Sequence, residues 1–123
     1  MRALLLLWLL VAVTPVRSQT ASPTMTYVTA DGQEETADSY DGSAPLKASF
    51  KANPENVGDY TPLYEWRFTR ENESSPFLVR YDEDTDYEFA QTGSFQIELC
   101  ISFVQGNDTI LYEMDQPFAV NIS

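Results

Sequence analysis

Residues 93–104 read Gly-Ser-Phe-Gln-Ile-Glu-Leu-Cys-Ile-Ser-Phe-Val. Phe95, Ile97, Leu99, Ile101 and Phe103 take every second position, with Ser94, Gln96, Glu98, Cys100 and Ser102 between them. Successive side chains of a strand point to opposite faces, so this is a strand with one apolar wall and one mostly polar wall. No other stretch is as long or as regular, and the remaining strands have to be placed against it.

The same period recurs in shorter runs on both sides. Upstream, Leu46, Ala48, Phe50 and Ala52 alternate with Lys47, Ser49 and Lys51, as in a half-buried strand. Asn53-Pro54 stops that run, because proline has no amide proton to give a ladder. Residues 53–62 read as a loop, and Tyr64, Trp66 and Phe68 then alternate with Glu65 and Arg67. A polar connection over 70–76 leads to short strands at 77–81 and 86–89, and Gln91-Thr92-Gly93 turns into the long strand. Downstream, Gln105-Gly106-Asn107-Asp108 reads as a hairpin loop. Ile110, Tyr112 and Met114 alternate after it, Asp115-Gln116-Pro117 interrupts, and Phe118, Val120 and Ile122 resume. The proline predicts a bulge or an edge position in the last strand. Beyond residue 18 no stretch has helical periodicity, so the expectation is an all-β, antiparallel β-sandwich of about seven strands.

The first residues belong to something else. Arg2 is followed by an unbroken apolar run over 4–13, then Pro15 and Val16-Arg17-Ser18. This is the order of a cleavable signal peptide, 1–18, and the run is short for a membrane span. Export to the cell surface, the medium or a periplasm follows, with no stable membrane insertion after cleavage. Residues 19–40, rich in Thr, Ser, Ala, Asp and Glu, read as a linker with a short first strand at Met25-Thr26-Tyr27-Val28. The sandwich domain then covers 41–123.

With Arg2 and Arg17 removed, 5 of the 7 basic residues remain against 19 acidic ones, a net charge of −14. Such a charge repels nucleic acid and anionic lipid. A single cysteine, Cys100, rules out an internal disulfide, so packing alone holds an exported domain together.

Tyr64-Glu65-Trp66-Arg67-Phe68 lies between Gly42-Ser43-Ala44-Pro45-Leu46 and Ala52-Asn53-Pro54 upstream and Thr92-Gly93-Ser94-Phe95 downstream. In this order the motifs resemble the PKD-type domain, an immunoglobulin-like sandwich of secreted and surface proteins. The whole chain is similar to the first module of exported bacterial proteins that end in a gliding-motility-associated sorting region. Arg67 stands where the family usually has Asp, and Thr69-Arg70-Glu71 where it has Gly-Asp-Gly, so the turn built there differs. The resemblance implies an immunoglobulin-like antiparallel β-sandwich and a non-catalytic role as a spacer or interaction module. Its partners would be other domains or surface proteins, or glycans.

The chain contains no histidine, which excludes His-based triads and His-ligated metals. Nothing calls for a cofactor, and no enzyme activity is expected. Cys100 has no imidazole to activate it and reads as a small packed or partly exposed residue. Asp82, Asp84 and Asp86 have the alternate spacing of a calcium loop, but the sixth position is Tyr87 and the twelfth Gly93. A looser calcium site and a solvated acidic edge that discourages strand pairing both remain open. Trp66 reads as core or, with Tyr60 and Tyr64, as a glycan-stacking platform. Asp108-Thr109-Ile110 resembles an O-glycosylation sequon on an exposed hairpin, with Thr109 as acceptor. Two further readings stand beside the surface module: a carbohydrate-binding module, and a fragment of a larger multidomain surface protein. The pairing of these motifs predicts that Trp66 packs against the long strand across the sandwich.

Overall fold

The computed structural model describes residues 19–123, and the expected signal peptide lies outside them. Twelve strands and no helix make up the described chain. They are β1 (Thr20–Ala21), β2 (Thr24–Val28), β3 (Glu34–Thr36), β4 (Ser39–Gly42), β5 (Leu46–Lys51) and β6 (Pro54–Glu55). The second half contributes β7 (Thr61–Arg70), β8 (Leu78–Arg80), β9 (Asp84–Phe89), β10 (Gly93–Gln105), β11 (Asp108–Glu113) and β12 (Phe118–Ile122).

One sheet runs β4-β12-β10-β7-β8, with β11 also on β10, and the facing sheet runs β3-β2-β5-β9. A two-residue ribbon of β1 and β6 stands apart from both. Every pairing is antiparallel except β4 with β12, which is parallel. The expected all-β sandwich is therefore present, with more strands than the seven read from the sequence. The additional ones are short, and backbone pairing rather than an apolar face defines them.

The alternating strand β10 is the spine of its sheet. Phe95, Ile97, Leu99, Ile101 and Phe103 are all buried. One of its edges pairs with β7 from Phe95–Arg70 to Val104–Thr61. The other edge changes partner along its length, with β12 beside residues 93–97 and β11 beside residues 100–105. Met114 marks the changeover, its N donating to Leu99 O at 3.3 Å and its Sδ accepting from Leu99 N at 3.2 Å. Pro117 stands just before β12, where the strand has to be re-aimed. The last strand is not an edge, since β4 covers its far side.

Trp66 departs from expectation. It is the register partner of Leu99 on the neighbouring strand, so it lies beside β10 rather than across from it. Across the sandwich it meets Phe50 of β5, with ring centroids 5.7 Å apart. Phe50 also meets Phe68 at 5.5 Å and Phe118 at 6.0 Å, so a single ring of the smaller sheet touches three aromatic side chains on two strands, β7 and β12, of the larger one. At one end, Phe68, Phe77, Tyr87, Phe89 and Phe95 form a second aromatic group. The Arg70 guanidinium lies 4.7 Å from the Phe77 ring centre and closes that end.

Residues 19–40 do more than link. Met25 on β2 has no exposed surface, and its strand is the second of the smaller sheet. Tyr27 of β2 meets Tyr40 of β4 edge-to-face at 5.0 Å, joining the two sheets at their margin. Asn53, at φ 48°, reaches back with its Nδ2 to Ser22 O at 3.1 Å, which ties the start of the described chain to the end of β5.

Candidate functional site

No polar or charged side chain is buried among the described residues, so the interior is packing alone and any site must lie outside it. The sequence-derived candidates are scattered over that outside.

Trp66 is fully buried, and its Nε1 donates to Glu83 O at 3.3 Å. It has no face for a sugar. Tyr64 shares an inward-facing row with Ile101 and Tyr112 and is half-buried at the open end of the sandwich. Burial and the nearby Glu83 carboxylate push its phenol up. Tyr60, just before β7, donates its hydroxyl to Asp108 Oδ2, and that bond with partial burial raises its pKa. Tyr60 and Tyr64 pack partly against the same core cluster that encloses Trp66, so none of the three presents a fully open ring face.

Asp82, Asp84 and Asp86 are all exposed along the start of β9. Asp84 is the register partner of Lys51 and Asp86 of Ser49, and one row further on Glu88 approaches Lys47 Nζ at 3.9 Å. Lys51 and Arg80 line the same shallow hollow as the three aspartates. Among the described residues no three His, Cys, Asp or Glu side chains come close enough together to hold a metal ion. Glu83 separates Asp82 from Asp84 and Thr85 separates Asp84 from Asp86, and Lys51 and Arg80 share the hollow with all three aspartates.

Thr109 is exposed at the start of β11, opposite Val104. Gly106, at φ 59°, makes the tight turn that presents it. Cys100 is half-buried on the outer face of β10, where burial pushes its thiol up although Arg67 lies nearby.

The outer face of the larger sheet carries a feature that sequence reasoning missed. Rows of side chains cross β7, β10 and β11: Thr61–Val104–Thr109, then Leu63–Ser102–Leu111, then Glu65–Cys100–Glu113. Leu63 is 56% exposed and Leu111 60%, and Tyr81, following β8, is 69% exposed. All three line one open hollow of about 390 Å³ with Cys100 and Ser102 at its floor. Glu65, Glu113 and Arg67 stand around it, and the Arg67 Nε donates to Glu65 Oε2. Among the described residues the only other large apolar side chain so exposed is Val28, on the outer face of the opposite sheet.

The signal for this face was present but masked. Leu63 and Leu111 occupy the out-of-phase positions of strands whose core positions are aromatic or apolar, so attention falls on Tyr64, Ile110 and Tyr112. A large apolar residue out of phase on two paired strands of one sheet marks an exposed patch.

No family model matches the sequence, and no curated protein and no solved structure matches it. Among the described residues no helix is long and apolar enough to cross a membrane.

Proposed function

We propose that the chain is a non-catalytic, exported module of PKD type that works at the cell surface by spacing other domains and engaging a protein partner. The observation that carries this reading is the gathering of Leu63, Tyr81 and Leu111 on one outer sheet face. Contiguous apolar surface bordered by polar groups is what protein interaction sites look like. Stabilising the monomer does not require it, because the core is closed without these residues.

Two features support the PKD type. Tyr64-Glu65-Trp66-Arg67-Phe68 falls on β7 and Trp66 is a core residue, in keeping with the buried tryptophan of an immunoglobulin-like sandwich. The two sheets also meet through alternating strands, with the first strands divided between them as β2 and β4. The apolar run over residues 4–13 behind Arg2 supports export.

Treating intact producing cells with a membrane-impermeant cross-linker tests the reading. Discrete adducts of the chain, lost in the Leu63→Ser, Leu111→Ser double variant, are the expected result. A chain that is labelled only after lysis, or whose adducts are unchanged in the variant, contradicts it.

A further inference from the structure

We propose that β11 is a docking edge, one that accepts an extended segment of another protein as a further strand of the larger sheet. That segment places an apolar side chain beside Leu111 and a lysine or arginine beside Glu113. The proposal rests on the reading of the chain as an interaction module and specifies where and how it engages.

The open edges of this fold are not equivalent. β3 and β8 are three residues each, too short to template much pairing, and β4 is four. β9 is six residues long but projects Asp84, Asp86 and Glu88, a run of charge of the kind that keeps a foreign strand away. β11 is also six residues and pairs with β10 alone. Its middle residues, Thr109, Ile110, Leu111 and Tyr112, are uncharged, contain no proline and are rich in the branched and aromatic types that suit strands. Of the terminal strands six residues long it alone has no charge along its centre, and the stretch of β7 that β8 leaves unpaired carries Pro62 and Glu65. Main-chain N–H and C=O groups along such an edge supply affinity, and side chains at alternate positions supply choice.

The rows across the sheet define that choice. A strand added beyond β11 extends each row by one residue. The row Leu63–Ser102–Leu111 ends on an exposed leucine, so the added residue must be apolar to cover it. The next row, Glu65–Cys100–Glu113, ends on a carboxylate that no lysine or arginine among the described residues approaches within ion-pair distance. Arg67, the cation nearest this row, is held by Glu65. A basic side chain two residues from the apolar one, on the same side of the added strand, completes the row. The described chain carries 5 basic against 19 acidic residues, so its field favours a basic segment over an acidic one.

A second copy of the chain fits less well. Two β11 strands paired antiparallel about a twofold between Ile110 and Leu111 set Asp108 of each copy opposite Glu113 of the other. β11 has no basic residue to offset this, and like charges directly opposite one another are destabilising.

The test is a titration of the isotope-labelled chain with the synthetic peptide Lys-Thr-Val-Thr-Val-Thr-Lys, followed by the amide shifts in heteronuclear NMR spectra. The expected result is saturable binding with the largest shifts at residues 108–113. Replacing both peptide lysines by glutamate weakens binding by about tenfold or more, and so does Leu111→Thr or Glu113→Lys in the chain. Val28→Thr, on the opposite sheet, leaves it unchanged. Absence of saturable shifts, shifts centred on β9, or equal affinity for the glutamate peptide overturns the proposal. Its failure is separable from that of the wider reading. Cell-surface adducts that depend on Leu63 and Leu111, together with no binding of the peptide, overturn strand addition and leave the interaction module standing.

Discussion

Leu99 has no exposed surface, while the side chain before it, Glu98, is half-buried on the outer face, opposite Arg67 in the ladder. Leu99→Ala removes atoms from the buried core and is expected to cost about 2–5 kcal/mol. Glu98→Ala is expected to stay within about 0.5 kcal/mol. Urea denaturation of the two variants checks this, and similar losses would mean that the faces of β10 are exchanged, since a one-residue slip in register does just that. Cys100, two residues from Glu98 on the same face, offers a test by pH. Burial raises its thiol, so at pH 8 it should react with an alkylating reagent more slowly than free cysteine. Its rate should keep climbing above about pH 8.5, where a free thiol is already half ionised. The folded chain holds this proton longer than the unfolded chain, so the associated stability is complete below the ordinary thiol value and is lost as pH rises through the raised one. Tyr27, Tyr60, Tyr64 and Tyr112 are also raised and act in the same direction above about pH 10. Melting temperature is therefore expected to fall as the solution is made alkaline beyond about pH 9, and a flat profile to pH 11 would contradict these burials.

At the scale of the element, β2 has the weakest sequence signal of the strands that carry core residues. Met25 and Tyr27 point inward and Thr26 and Val28 outward, but the run is five residues long and sits in a segment dominated by Thr, Asp and Glu. Its place beside β5 makes it structural. Met25→Ala is expected to destabilise the chain by about 2–5 kcal/mol, as for any large core side chain, and a loss under about 1 kcal/mol would return the segment to the status of a linker. The half-buried strands β5, β7, β10, β11 and β12 were legible because each imposes period-two burial on its own sequence. β3 and β4 were not. Glu34-Glu35-Thr36 is exposed throughout and exists as a strand through its pairing with β2, and Ser39–Gly42 is placed by β12, about 80 residues away along the chain. Alternation also shows which face a residue takes without showing which sheet its strand joins. Alternation alone therefore fits Trp66 across from β10 as well as beside it, and the ladder puts it beside, opposite Leu99. The apolar outer face was hidden for a related reason: in β7 and β11 the stronger, inward alternation masks Leu63 and Leu111.

For the molecule as a whole, the two outer faces differ in character. The smaller sheet shows Thr24, Thr26, Lys47, Ser49, Lys51, Asp84, Asp86 and Glu88 with Val28 as its one large exposed apolar side chain, a mainly polar surface with an acidic edge that discourages strand pairing. The larger sheet shows Leu63, Leu111 and nearby Tyr81 beside an unguarded strand. The core is all apolar and the described chain carries 19 acidic residues against 5 basic ones, so the proposed interaction rests on the exposed apolar side chains of this one face. The most direct test is site-specific photo-cross-linking in producing cells, with the photoreactive residue at position 111 and, in a second chain, at position 28. Both positions are exposed apolar sites, and they lie on opposite sheets. Discrete protein adducts from position 111 and none from position 28 are the predicted result. Equal adducts from both positions, or adducts from position 28 alone, would contradict the assignment of the larger sheet as the working surface.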